Sequence, residues 1–174
     1  MNVKRFVFSA VTIIFSFILQ SCVFTRLSFG GIIPNLLIII TASFGFMRGE
    51  GSGITIGFIS GLLCDIFSGS VLGFYALLYM CIGYVNGKFA RIFYPMELRL
   101  PLLAILGSDF TYGMVCYILL FLLRGRFAIG YYFLHIIVPE MVYTILVTIV
   151  YYPLILLINT RLEKDEQRSA KKFV

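Results

Sequence analysis

Four ionisable side chains stand within or at the edge of long apolar runs: Asp65, Asp109, His135 and Glu140. Such groups are costly in hydrocarbon, so each is first read as a functional candidate. Two intramembrane aspartates would suit an aspartyl protease, whose carboxylates must lie close enough to share a proton. The contexts of that chemistry, Tyr-Asp and Gly-x-Gly-Asp, are absent: here the aspartates follow Cys64 and Gly107-Ser108. His135 and Glu140 are five residues apart, about 140° around a helix, so they do not share a face as zinc ligands would. There is no HExxH, no serine with a His/Asp partner in context, and no glycine-rich loop with a phosphate-binding lysine. No enzymatic activity, metal or cofactor is therefore expected. Asp109 reads as a structural hydrogen bond inside a helix bundle, with Ser108 and Thr111 beside it. Glu140 reads as a group paired within the bundle, and His135 as a lone histidine near the interface. Asp65 divides evenly between two readings. It is a partner or cation site, or a helix-end acid that turns the chain by bonding the backbone around Ser68-Gly69.

Asp65 ends the most ordered pattern in the chain. Gly53, Gly57, Gly61 and Asp65 recur every four residues. A four-residue step drifts only about 40° around a helix, so these positions form one slowly winding stripe. Three of them lack a side chain, which makes a groove where another helix can lie close. The residues between are apolar or hydroxyl, so the helix is greasy all round and belongs in lipid or a buried core.

The elements that carry these residues are membrane segments. The 174 residues are 60% hydrophobic and 13% charged, with a mean hydropathy of +1.00; a soluble domain carries nearer 25% charged residues. Apolar segments fall at residues 6–24, 36–47, 53–67, 74–87, 100–123 and 131–158, followed by a charged tail at 159–174. The chain is expected to be a single all-α membrane domain, a bundle of six transmembrane helices. Pro34 suits the first turn of the second segment and Asn35 can cap it. Gly83 and Gly87 form a second small-residue pair. Arg48 and Glu50 flank a short polar break, and residues 88–99 read as the clearest loop. Pro139 and Pro153 imply a kink or a broken entry in the last segment.

An even number of spans puts both termini on one side. With the termini cytoplasmic, eleven Lys and Arg face inward and only Arg26, Arg124 and Arg126 face outward, as the positive-inside rule requires. The net charge of +6 thus reads as a topology and headgroup signal, with no basic groove for nucleic acid. The N-terminal run lacks a clear small-residue cleavage signature. Leu19-Gln20-Ser21-Cys22 is a weak lipobox, set aside because apolar chain continues beyond it. Cys22, Cys64, Cys81 and Cys116 show no CxxC spacing and read as small apolar fillers.

Four features quoted in order resemble the MreD family of bacterial rod-shape-determining membrane proteins. Pro34-Asn35-Leu36-Leu37 resembles that family's Pro-Asp-Leu-Leu, with Asn35 where an acid is usual. Arg48-Gly49 follows the segment. Gly57-x3-Gly61-x3-Asp65 resembles its central Gly-x3-Gly-x3-Asp, and Leu72-Gly73 with Ala76-Leu77 resembles Leu-Gly-x-x-Ala-Leu. The specific part covers residues 34–90.

The resemblance implies a non-enzymatic subunit of the cell-elongation machinery in the bacterial cytoplasmic membrane. Its implied partners are MreC, a RodA-type glycosyltransferase, a class B transpeptidase and, indirectly, MreB. It also implies a six-helix architecture similar to the substrate-binding S-components of energy-coupling vitamin transporters. The residues expected to bind a partner or hold the structure are Pro34, Asn35, Arg48, Gly53, Gly57, Gly61, Asp65, Gly73, Asp109 and Glu140. In the scaffold reading, the glycine groove receives a partner's transmembrane helix. The alternative is the substrate-binding subunit of a small-molecule transporter, with Tyr131-Tyr132 near the outer end of the last segment as its aromatic pair. Those tyrosines read more readily as interfacial anchors.

Overall fold

The computed structural model describes residues 3–28, 30–68, 71–92, 99–122 and 129–171. Among them the chain is helical, with no strand. Helix α1 (Val3–Ile18) runs on through a π-helical stretch, Leu19–Phe24. Helices α2 (Leu36–Arg48), α3 (Glu50–Ser68) and α4 (Phe74–Ile92) follow. Helix α5 (Arg99–Cys116) is prolonged by a second π-helical stretch, Tyr117–Phe121. The last rod begins as α6 (Ile129–Tyr132), passes through a π-helical stretch, Phe133–Ile137, and continues as α7 (Val138–Lys171).

Four of these rods are long and apolar enough to cross a membrane: Arg5–Phe24, Glu50–Phe67, Arg99–Phe121 and Ile129–Arg161. The shortest of the main helices, α2, is the hub. At 13 residues it spans about 20 Å, less than a hydrocarbon core of about 30 Å. Every residue from Leu36 to Phe46 is buried, and α1, α3, α4, α5 and α7 all pack against it. Leu37, Ile38, Ile40 and Phe44 meet Ile13 of α1, Ile56 of α3, Tyr79 of α4 and Ile155 of α7 in one cluster. The outer rods turn apolar faces outward: Leu146, Val150, Leu154 and Leu157 line one exposed stripe of α7.

Local chemistry sets where the helices start and stop. Asn35 is the N-cap of α2, its Oδ1 accepting the Ile38 N–H at 3.2 Å. The Gln20 side chain accepts the Leu37 N–H at 3.3 Å. Two otherwise unpaired helix-start donors are thereby satisfied. Pro34 stands before the cap rather than in the first turn, where the sequence suggested it. At the other end Gly49 adopts φ +83° and its N–H returns to the Gly45 carbonyl at 2.8 Å. That left-handed residue alone separates α2 from α3. The polar break suggested at residues 48–52 is therefore one glycine long, and α3 gains the length to span.

Two further boundaries depart from the sequence reading. Helix α4 continues through Lys88 and Arg91, which the sequence suggests as loop. The Lys88 ammonium lies 4.8 Å from the Tyr84 ring centre, and cations are favoured at a helix C-terminus. Residues 93–98 of that loop lie outside the described part. Helix α7 runs unbroken through Pro153 and on to Lys171, so most of the charged tail is helix. The broken entry expected at Pro139 takes the form of the π-helical stretch directly before it.

Candidate interaction site

The glycine stripe is filled from within the chain. The most extensive helix contact is α3 against α4, and each stripe glycine meets α4 backbone. A Cβ on Gly57 would stand 2.7 Å from the Tyr79 carbonyl carbon, and one on Gly53 would stand 2.7 Å from that of Gly83. A Cβ on Gly61 would fall 2.6 Å from the Ala76 nitrogen. Helix α2 joins at one end, where a Cβ on Gly45 would stand 2.8 Å from the Gly83 carbonyl oxygen. Three helices thus touch backbone to backbone at Gly45, Gly53 and Gly83, and Gly87 packs in the same way on Gly49 and Glu50. The groove expected to receive a partner's helix receives α4 instead. A four-residue stripe has the same sequence pattern whether its occupant is another chain or the next helix.

Asp65 closes the far end of this hairpin. Its exposure is 3%. Oδ1 accepts the Tyr75 N–H at 2.9 Å, and Oδ2 accepts those of Gly73 and Ala76, each at 3.0 Å. The carboxylate thereby caps the start of α4, where Gly73 turns the backbone at φ +98°, and a negative charge there also meets the positive end of the helix dipole. Of the two readings of Asp65, the geometry agrees with the chain-turning acid. Its bonds reach Gly73, Tyr75 and Ala76; residue 69 of the turn expected at Ser68-Gly69 lies outside the described part.

Polar residues tie the hub to its neighbours. Asn35 is 3% exposed; its Oδ1 also accepts the Tyr79 hydroxyl at 2.9 Å, and its N–H donates to Thr144 Oγ1 at 3.1 Å. One residue thus joins α2, α4 and α7. At the opposite end Arg48 Nε donates to Asn159 Oδ1 at 2.7 Å and Nη1 to Ser9 Oγ at 3.1 Å. Its guanidinium lies 4.7 Å from the Phe44 ring centre, a cation–π contact. Ser16 and Tyr151 are hydrogen-bonded between α1 and α7.

Asp109 departs from its expected role. It is 3% exposed, and neither carboxylate oxygen has a hydrogen-bond partner. The neighbours expected to serve it are engaged elsewhere. Ser108 Oγ donates to the Ala104 carbonyl and accepts from Asn86 Nδ2, both at 2.7 Å, and Thr111 Oγ1 donates to Gly107 at 2.7 Å. Thr144 of α7 lies beside it. His135 is exposed; its ring stacks on Tyr131 with centroids 4.3 Å apart, and Nδ1 donates to the Tyr131 carbonyl at 3.2 Å. Tyr132 turns the other way, onto Tyr117 and Phe121. The tyrosine pair therefore does not act on one surface. Among the described residues no group of three or more His, Cys, Asp or Glu could hold a metal.

One surface feature had no counterpart in the sequence reading. Helices α4 and α5 make few contacts and leave an apolar groove of about 560 Å³ between them. Its α5 wall is built from Leu103, Ala104, Gly107, Ser108 and Thr111, and its α4 wall includes Leu78, Ile82 and Val85. A Cβ on Gly107 would meet nothing within 4 Å. Its polar lining is the hydrogen-bonded Asn86–Ser108 pair together with Thr111. The signal available in the sequence was the pair of small-residue steps Ala104/Ser108 and Gly107/Thr111.

Residues 2–161 match the family model described as rod shape-determining protein MreD, and the chain belongs to that family. No curated protein and no solved structure matches it, so the likeness to transporter S-components rests on the family resemblance alone. The chain is thus a multi-pass membrane protein with a role in rod shape determination, in a family of shape-determining proteins that is not a known enzyme family.

Proposed function

From membership of the MreD family, we propose that this chain is a non-enzymatic membrane scaffold of the cell-elongation machinery. It binds the transmembrane helix of MreC, holds a RodA-type glycosyltransferase and a class B transpeptidase near the same complex, and connects indirectly to MreB. It lies in the cytoplasmic membrane as one domain with both termini inside, following the distribution of Lys and Arg.

The observation that carries the proposal is the α4–α5 groove. The glycine stripe is already occupied by α4, so the open surface with small residues lies elsewhere. The groove faces outward, and its α5 wall at Ala104, Gly107 and Ser108 permits close approach of a second backbone. Its occupant in this reading is the MreC helix, with the Asn86–Ser108 pair giving register.

Affinity purification of the tagged protein from its own membranes, in mild detergent, tests this. Wild type should bring MreC and the transpeptidase. Gly107→Leu, which fills open space and leaves the core intact, should lose them. Retention of the full partner set by Gly107→Leu would refute the placement of the interface. Recovery of an ATPase pair with a coupling subunit would refute the scaffold and favour a transporter role.

A further inference from the structure

A second cavity, of about 410 Å³, opens between α1 and α3 at the end of the bundle where Arg48 closes α2. Its α1 wall carries Arg5, Ser9 and Ile13, a four-residue spacing that puts all three on one helix face. Its α3 wall begins with Ser52 and Thr55 and continues as Ile56 and Ile59. Both walls change from charged or hydroxyl side chains near the helix starts to aliphatic ones deeper in, over about 10–12 Å of helix. Phe6 and Thr55 of the lining are exposed, so the cavity opens sideways to the surrounding lipid.

Its charge comes from two guanidinium groups. Arg48 is fixed in place: Nε donates to Asn159 at 2.7 Å and Nη1 to Ser9 at 3.1 Å, and its guanidinium lies 4.7 Å from the Phe44 ring centre and 5.9 Å from that of Phe8. Arg5 stands one turn before Ser9 on the α1 wall. Among the described residues that line the cavity there is no acid. Glu50, in the first turn of α3, is not one of them, and even with Glu50 counted this end keeps a net positive charge. Guanidinium groups match phosphate oxygens with paired N–H donors and lose little hydration in doing so. The hydroxyl of Thr55 already donates to the Gly51 carbonyl at 2.9 Å, whereas Ser9 Oγ accepts from Arg48 and so keeps its own proton to donate. Ser52 stands in the first turn of α3, where the positive end of the helix dipole adds to the field.

We propose that this cavity binds one anionic phospholipid. Its phosphate is held by Arg5 and Arg48 with the Ser9 and Ser52 hydroxyls, and the top of an acyl chain lies along Ile13, Ile56 and Ile59. Basic pockets between membrane helices take anionic headgroups in this way. A free phosphate would use only the polar end; the graded walls and the sideways opening fit a lipid. Once seated, the lipid bridges α1, α2 and α3 and fastens the N-terminal helix to the hub. With both termini inside, as proposed above, it comes from the inner leaflet. The binding itself depends on neither that orientation nor the scaffold reading.

The test uses the purified full-length chain in uncharged detergent. It is titrated with phosphatidylglycerol, phosphatidylcholine or inorganic phosphate, and bound molecules are counted by native mass spectrometry. One phosphatidylglycerol should bind roughly twenty-five times more tightly than phosphatidylcholine, a factor of about five for each guanidinium. Inorganic phosphate at equal concentration should not displace it. Arg5→Gln, which spares the bonds made by Arg48, should weaken phosphatidylglycerol binding about fivefold, and Arg5→Lys should retain most of it. Arg26→Gln removes the same charge beyond the other end of α1 and should leave binding unchanged. Equal affinity for the two lipids would overturn the proposal, as would equal weakening by Arg26→Gln and Arg5→Gln. Displacement of the lipid by equimolar inorganic phosphate would also overturn it, and would assign the site to a soluble anion.

Discussion

A single methyl group at Gly57 should loosen the α3–α4 hairpin. In Gly57→Ala the new Cβ stands 2.7 Å from the Tyr79 carbonyl carbon and 3.0 Å from the Met80 nitrogen, where ordinary contact begins at 3.4 Å. Both partners are backbone, so neither can rotate aside, and the two helices must separate by most of an ångström. A gap of that size forfeits a quarter to a half of each dispersion contact it opens. Overpacking of this kind costs about 3 kcal/mol at the upper end of its usual range. The better helix propensity of alanine returns up to about 1 kcal/mol. The net loss of about 2 kcal/mol corresponds to a midpoint lower by about 4–8 °C for a chain of this size. The chain has no Trp, so a thiol-reactive dye reading the free, buried Cys116 is the suitable assay. Gly107→Ala, which meets nothing within 4 Å, is the control and should match or exceed wild type. Equal stability of Gly57→Ala and Gly107→Ala would refute a tight backbone contact at Gly57.

Two other substitutions probe the caps. Asp65→Asn should lower stability by about 1–3 kcal/mol, because one carboxylate oxygen that accepts backbone N–H groups becomes a donor; amide exchange at Gly73, Tyr75 and Ala76 should quicken, and unchanged exchange would contradict the capping role. Asn35→Ala should cost a similar amount by removing the α2 cap and the Tyr79 partner, whereas Asn35→Asp keeps the acceptor and should retain most of the midpoint.

The parts of the fold legible in sequence were those with a local physical signature. The four-residue glycine step predicts close helix packing, and the structure has it; only the occupant differs, since spacing on one helix carries no information about which helix fills it. Asn35 was legible as a cap because caps are read by the next three residues. The hub helix α2 was not legible as a hub. Lipid and protein interior are both apolar, so an all-apolar helix reads the same in either place. The isolated polar residues Tyr79, Asn86 and Thr144 could have marked the inward faces, because a lone polar group in an apolar helix seeks a partner. Asp109 was legible as a buried acid, but not its lack of donors, which depends on Ser108 and Thr111 turning back to their own helix. The α4–α5 groove arises from two helices diverging, a tertiary property with only a faint trace in the Ala104–Thr111 spacing.

The most direct measurement of the central claim is site-specific photo-crosslinking in living cells. A photoreactive residue replaces Leu103, which is 62% exposed on the rim of the groove, or Val11, which is 58% exposed on α1. The scaffold account predicts a crosslink from position 103 to the transmembrane helix of MreC and none from position 11. A crosslink from position 11 with none from position 103 would contradict the groove as the interface, and no crosslink to MreC from either would contradict the binding itself.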